Sequence, residues 1–351
     1  MPNFNDSSTN NALATRQREL LLRWTLASRQ ARTNPNRFLE FCFTDPQGRP
    51  LEQASIHRDL QAFLTAQRKA LVELPRDHGK STQICTRALW ELGREPSLRI
   101  KIVCASEALA AERGRFLREA IQHNARLPLV FPQLRRATPW SDTRFTVQRP
   151  ANVIGPSVTA LGVGAASTGS RADLLICDDI VDVKAVGSAA ERYRVKVAFR
   201  DNLLNLLEPD GRFWGLCTPW HRDDLNAELK KNSSFALFHR AIDENLTPLW
   251  PARWPREALQ DRRAEIGSVS FARGYRLLPA SADDVPICAA WLRFWLGSFE
   301  PESVLLSVDP ALSTHEKADH SALVVLAKHL NEIRCLEAIG RRVSTPDLVN
   351  L

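Results

Sequence analysis

The stretch that decides the fold is Lys69–Leu92, KALVELPRDHGKSTQICTRALWEL. Its first part, Ala70 to Leu74, is apolar enough for a buried strand. Its last part, Ser81 to Leu92, repeats Ile84, Ala88, Leu89 and Leu92 at helical spacing, and Gly93 reads as the helix stop. Between the two lies Pro75-Arg76-Asp77-His78-Gly79-Lys80-Ser81-Thr82. A strand, a tight loop and a helix opening on Gly-Lys-Ser/Thr is an arrangement that grips phosphate, because the first-turn amides of the helix point at the anion. Lys80 is then expected to reach the β- and γ-phosphates of ATP, and Ser81 to hold Mg²⁺. The full pattern begins with a glycine, and Leu74 stands in its place, so the match is partial. A surface turn capped by a serine is the competing reading, and the rest of the chain has to decide.

Composition narrows the class. The 351 residues suffice for two domains of ordinary size. With 44% hydrophobic and 25% charged residues, the chain reads as a soluble globular protein. It has no apolar run of membrane-spanning length. The opening MPNFNDSSTNNALATRQREL lacks the apolar core of a signal peptide, so a cytoplasmic protein without membrane contact is expected. The net charge of +7 mildly favours an anionic partner such as DNA. Arg outnumbers Lys 38 to 9. The seven Cys form no CxxC pair and lie partly in apolar runs, which suits buried thiols rather than zinc ligands or disulfides.

Residues 1 to about 11 read as unstructured, and Ala12 to Arg32 as an amphipathic helix with a basic surface. Upstream of the loop, Gln53 and Gln61 both stand where an adenine-reading glutamine is found in many ATP-binding chains. Leu98 to Ala105 reads as a second core strand, with Ser106 capping the helix that follows. Phe145–Val147 and Ala151–Ile154 read as two short strands of a hairpin, and the glycine-rich stretch after Ile154 as a loop. The second decisive element is Asp173-Leu174-Leu175-Ile176-Cys177-Asp178-Asp179, an apolar strand ending in two carboxylates. In open parallel sheets ligands bind beyond the carboxyl ends of the strands. Asp178 is assigned to Mg²⁺ and Asp179 to the attacking water. Arg212–Cys217 is another strand, and Thr218 at its end is placed to sense the γ-phosphate. A polar turn is the competing reading for each of these acids and for Thr218.

These residues resemble the large terminase subunit of tailed bacteriophages and prophages. LPRDHGKST resembles that family's phosphate loop, TGSRADLLICDDIV its acidic strand, GLCTPWHRDDL its coupling segment, and Leu249 to Pro279 its connector between motor and nuclease. The resemblance implies that Thr218 couples hydrolysis to movement and that Arg76 contacts the γ-phosphate or triggers its cleavage. It also implies an RNase H-like nuclease after the connector, with Asp309 as its first metal ligand and Asp319 as the nearby acid. Two departures are Leu74 for Gly and Asp179 for the commoner Glu, which is one methylene longer.

The expected protein is α/β. A P-loop NTPase parallel sheet flanked by helices is followed by a helical connector and a partial RNase H-like nuclease fragment. Expected boundaries are 1–44 for a polar tail and basic helix, 45–240 for the ATPase, 241–300 for the connector and 301–351 for the start of the nuclease. The expected ATP contacts are Pro75, Arg76, Asp77, His78, Gly79, Lys80, Ser81, Thr82 and Gln53. The expected metal ligands are Ser81, Asp178, Asp309 and Asp319, and the catalytic residues Asp179, Arg76 and Thr218. The implied partners are double-stranded DNA, the small terminase subunit, the procapsid portal, and further copies of the chain in a ring. Arg200, Arg222 and the basic N-terminal helix are candidates for the DNA surface, and Arg171 and Arg200 for an arginine finger. Two other readings stay open: a helicase or repair ATPase, and a prophage remnant that binds DNA or a packaging partner without turnover.

Overall fold

Apolar strands that alternate with amphipathic helices bury both faces of a sheet, and that pattern organises most of the chain. In the computed structural model the chain forms two units, Met1–Asp284 and Val285–Leu351. The structure describes residues 6–45, 47–165, 170–182, 184, 186–279, 293–295, 297, 300–311, 320–343 and 347.

The first unit opens with helices α1 (Asp6–Thr33), α2 (Pro35–Cys42) and α3 (Ser55–Ala66), then β1 (Lys69–Glu73) and α4 (Lys80–Arg94). It continues through β2 (Ile100–Cys104), α5 (Glu107–His123), α6 (Leu127–Val130), β3 (Arg136–Trp140), β4 (Arg144–Val147), β5 (Val158–Gly162) and β6 (Ala172–Asp178). Helix α7 (Ala189–Val197), β7 (Leu207–Cys217), α8 (Leu225–Lys231), β8 (Ala236–His239) and α9 (Arg256–Gly274) complete it. The sheet runs β3-β4-β5-β2-β6-β7-β1-β8. From β5 to β8 every pairing is parallel, and β4 and β3 add an antiparallel edge.

Alternate residues of the central strands feed two cores. Ala70, Val72, Leu174 and Ile176 pack with Phe38, Leu60, Leu89 and Phe131 on one face. Leu71, Leu175 and Cys177 pack with Phe199, Phe213 and Phe235 on the other. Strands covered on both faces read as near-continuous apolar runs, which is why β1, β2 and β6 stand out in the sequence. The segment from Ile242 to Tyr275 adds a smaller cluster around Trp254, Leu259 and Phe271.

The parallel sheet flanked by helices agrees with the sequence reading, and several local expectations are corrected. Gly93 does not stop α4, which continues to Arg94. A Cβ at Gly93 would lie 2.3 Å from the Phe131 ring, so this glycine admits a ring against the helix rather than ending it. Ala151–Ile154 is no strand: it forms a turn and then irregular chain, bounded by Pro150 and by Gly155 at φ 90°, with Ile154 exposed. The strand lies just beyond, in the stretch read as a glycine-rich loop, where Val158–Gly162 pairs along β2. Helix α1 begins at Asp6, inside the stretch expected to be unstructured.

The second unit holds a three-stranded antiparallel sheet in the order β11-β10-β9, made of β9 (Ser303–Asp309), β10 (Ser321–His329) and β11 (Glu332–Arg341). No helix among the described residues is long and apolar enough to cross a membrane.

Candidate active site

The site begins with the order of three strands. β7 lies between β6 and β1, so the carboxyl ends of all three open side by side. β1 delivers the loop around Lys80, β6 delivers Asp178 and Asp179, and β7 delivers Thr218 between them.

The loop curls through left-handed backbone at Asp77 (φ 58°) and at Gly79 (φ 77°), the cap of α4. Aspartate tolerates that region and glycine adopts it freely. Leu74, which replaces the missing glycine, is fully buried, and its carbonyl accepts a hydrogen bond from Lys80 Nζ at 3.0 Å. The conformational demand therefore falls at Asp77 and Gly79, and a leucine serves at position 74.

Lys80 Nζ also lies 3.5 Å from the Thr218 hydroxyl. That hydroxyl donates to Asp179 Oδ1 at 2.9 Å. Asp179 turns the chain at the strand end with φ 49°. Burial pushes its pKa up, while the Lys80 ammonium pulls it back, Asp178 adds to the rise, and the Thr218 hydrogen bond and Arg76 lower it. Ser81 Oγ donates to Asp178 Oδ1 at 3.1 Å. The second oxygen, Oδ2, accepts from Arg113 Nε at 2.7 Å. Hydroxyl and carboxylate oxygens side by side are hard donors of the kind Mg²⁺ takes, one or two from protein and the rest from phosphate and water.

The segment after β8 braces the loop. Arg76 N–H donates to the Gly274 carbonyl at 2.8 Å, and Trp254 Nε1 donates to the Asp77 carbonyl at 3.2 Å. The Arg76 guanidinium lies over the Trp220 ring at 5.3 Å. His78 is buried and stacks nearly parallel to Trp254, with ring centroids 6.0 Å apart, and its Nδ1 is 2.8 Å from the Arg76 carbonyl. Burial drives its pKa down to about 4, so the ring is neutral at physiological pH.

These parts line a cleft of about 680 Å³. Its walls include Pro75, Arg76, Asp77, Gly79, Lys80, Ser81, Thr82, Gln53, Asp179 and Thr218. His78 and Asp178 sit behind them, both buried. The two glutamines separate: Gln53 lines the cleft, whereas Gln61 is buried against α4, donating to Gln83 and accepting from Arg87. Gln53 accepts from Gln83 and donates to Asn36, each at 2.6 Å.

The other candidates lie elsewhere. Arg200 is half exposed and ion-paired with Glu228, Arg222 is exposed, and Arg171 donates to the Asn205 carbonyl at 2.9 Å. Asp309 belongs to the second unit, at the end of β9 opposite Ala322. Asp319 lies outside the described residues. Among the described residues no three His, Cys, Asp or Glu side chains converge as a metal cage.

Sequence reading missed Arg113, and it missed Trp250 and Arg253, which line the cleft from the segment after β8. It also missed Glu73, buried at the end of β1 between Lys230 and His239, each at 2.8 Å. No local motif marks these residues, since each depends on an element far away in the chain.

A lysine, a serine, two strand-end carboxylates and a threonine, convergent on a phosphate-loop helix, define a P-loop nucleotide-binding domain. Over 252 residues, 62% of its length, the chain is 30% identical to the terminase large subunit of Enterobacteria phage T3, of which it spans 42%. The chain is thus similar to a phage terminase large subunit, and it spans less than half the length of that curated relative. No family model matches it. Among solved structures it resembles the HK97 bacteriophage large terminase, with a TM-score of 0.47 and 16% identity over 86% of this chain and 65% of that one. It also resembles the ATPase domain of a Thermus phage large terminase, with a TM-score of 0.43 and 19% identity over 64% and 93%.

Proposed function

We propose that the first unit binds and hydrolyses ATP and that hydrolysis drives double-stranded DNA into a phage procapsid. The observation that carries this reading is the Thr218 bridge. One hydroxyl joins the amine that would hold the γ-phosphate to the carboxylate that would face the attacking water, at 3.5 and 2.9 Å.

In this reading the α4 amides and Lys80 hold the phosphates. Asp179 accepts a hydrogen bond from the water and orients it in line. A carboxylate whose pKa is raised by burial is a better proton acceptor than an exposed one. Arg76, already over the cleft, neutralises charge on the transferring phosphoryl group. Gln53 reads the base. Ser81 and Asp178 hold Mg²⁺, which when bound supplies positive charge to the β- and γ-phosphate oxygens. Thr218 couples the state of Lys80 and Asp179 to β7 and to the turn after it, where Asp224 accepts from the amides of Trp220 and His221.

The DNA is held through its phosphates with little base reading, since a motor must pass any sequence. The wider assembly we propose is a ring of copies on the procapsid portal, loaded by a small terminase subunit in the host cytoplasm. Residues 301–351 are read as the start of an RNase H-like nuclease, with Asp309 and Asp319 as metal ligands. The similarity to a terminase large subunit favours this reading over a helicase or repair motor.

The test is ATP turnover by the full 351-residue chain with Mg²⁺, with and without double-stranded DNA, beside Lys80→Ala and Asp178→Ala. Turnover stimulated by DNA and lost in both variants is the expected result. A folded parent that binds ATP without turnover in either condition would sink the motor reading and leave a binding remnant.

A further inference from the structure

We propose that Arg113 is a positioning residue for Asp178 and, through it, for the divalent cation that accompanies ATP; this rests on the reading of the site just given. Asp178 is buried at the end of β6, and its two oxygens are bound differently. Oδ1 accepts from Ser81 at 3.1 Å and Oδ2 from Arg113 Nε at 2.7 Å. Ser81 lies in the first turn of α4, and Arg113 comes from α5, so two helices fix one carboxylate.

The placement of Arg113 follows from α5. Ser106 caps that helix by accepting from the Leu109 amide, and both residues line the cleft. Arg113 is four residues beyond Leu109 and so lies on the same side of the helix. Its guanidinium is 28% exposed, and the other acid near it, Glu112, is farther away at 3.7 Å and largely in solvent.

Rotation about the terminal bond of an aspartate is broad and nearly two-fold. One neutral hydroxyl does little to hold it. A charge-assisted hydrogen bond to Oδ2 selects one orientation and leaves Oδ1 beside Ser81, where the metal oxygens are needed. The same cation offsets part of the charge of two consecutive carboxylates, Asp178 and Asp179. Groups that orient a metal-holding side chain in this way are typically worth 10- to 100-fold in metal affinity.

The experiment is binding of a fluorescent ATP analogue by the full chain across free Mg²⁺ concentrations and in EDTA, with a melting curve for each variant. Arg113→Ala is expected to raise the Mg²⁺ needed for half-maximal binding by about tenfold or more, while affinity in EDTA stays within about twofold. Arg113→Lys keeps the charge and recovers part of the loss, and it serves as the test variant if the alanine form does not fold. In an Asp178→Asn background, Arg113→Ala adds nothing. A normal Mg²⁺ curve in both single variants overturns the proposal, as does an equal shift in the Asp178→Asn background. A parent chain that binds no nucleotide, or binds it with no response to Mg²⁺, instead defeats the reading of the site itself.

Discussion

Two strands of this chain look alike in sequence and differ in structure. β6 reads ADLLICD and β9 reads SVLLSVD, each an apolar run closed by an aspartate. β6 is buried along nearly its whole length between two layers of helices. Asp178 at its end meets Ser81 and Arg113, and Asp179 meets Thr218. Every residue of β9 is exposed in the described structure, and Asp309 ends opposite Ala322 on the neighbouring strand. An apolar strand ending in an acid is therefore a promise of a site; the helices and strands that aim other side chains at that acid make the site.

The largest effect that would sharpen this contrast is catalytic. Lys80→Ala should lower ATP turnover by about 10²- to 10³-fold, the scale of losing one main electrostatic contact to a developing charge. Neutralising the exposed Glu337 of β11 by Glu337→Ala should leave turnover within about twofold. Steady-state phosphate release measures both, and equal losses would break the contrast. The next effect is on stability. Leu71→Ala, at a fully buried position of β1, should cost about 2–5 kcal/mol. Leu305→Ala on β9, where the side chain is 63% exposed, should stay within about 0.5 kcal/mol. Denaturant unfolding followed by circular dichroism compares them, and a costly Leu305→Ala would mean that β9 is covered in solution.

A third effect depends on pH. The folded His78 ring resists protonation down to about 4, whereas the unfolded chain takes the proton near 6.5. Between those values the unfolded state binds more protons, so stability is complete above 6.5 and falls as pH drops toward 4. The loss is about 3 kcal/mol at most. His57, also lowered by burial, acts in the same sense. His78→Phe should flatten this slope in denaturant midpoints taken between pH 7 and 4.5. An unchanged slope would show that the ring is reached by water before the unit unfolds.

How much of this was legible follows the same contrast. The phosphate loop and the acidic strand were readable because their chemistry is contiguous: eight residues from Pro75 to Thr82, and two acids after one apolar run. Thr218 was readable because it ends a third such run. Gly93 was misread because a glycine that ends a helix and one that admits a ring look the same in sequence; only Phe131, 38 positions away, separates them. Val158–Gly162 was missed because the glycines at and around it, Gly155, Gly162 and Gly164, read as loop, while its pairing with β2 is a long-range fact. Arg113 carries no motif at all. It was one arginine among 38 until the fold set it against Asp178.

The smallest effect tests the part of the site that is least obvious from composition. Thr218→Val keeps the shape of the side chain and removes only the hydroxyl. Asp179 Oδ1 then loses its 2.9 Å donor, and Lys80 loses the acceptor at 3.5 Å. A hydrogen bond to a charged group contributes about 1.5–3 kcal/mol, and leaving a buried oxygen unpaired adds to the cost. If the hydroxyl acts mainly when the water is aligned, the loss belongs in kcat, at about 10- to 100-fold, with KM for ATP nearly constant. Thr218→Ser retains the hydroxyl and should recover most of the rate. Turnover of Thr218→Val at the parent level would reduce the bridge to packing. A loss in KM instead of kcat would move Thr218 from the reaction to nucleotide binding, and the contrast between β6 and β9 would then rest on Ser81 and Arg113 alone.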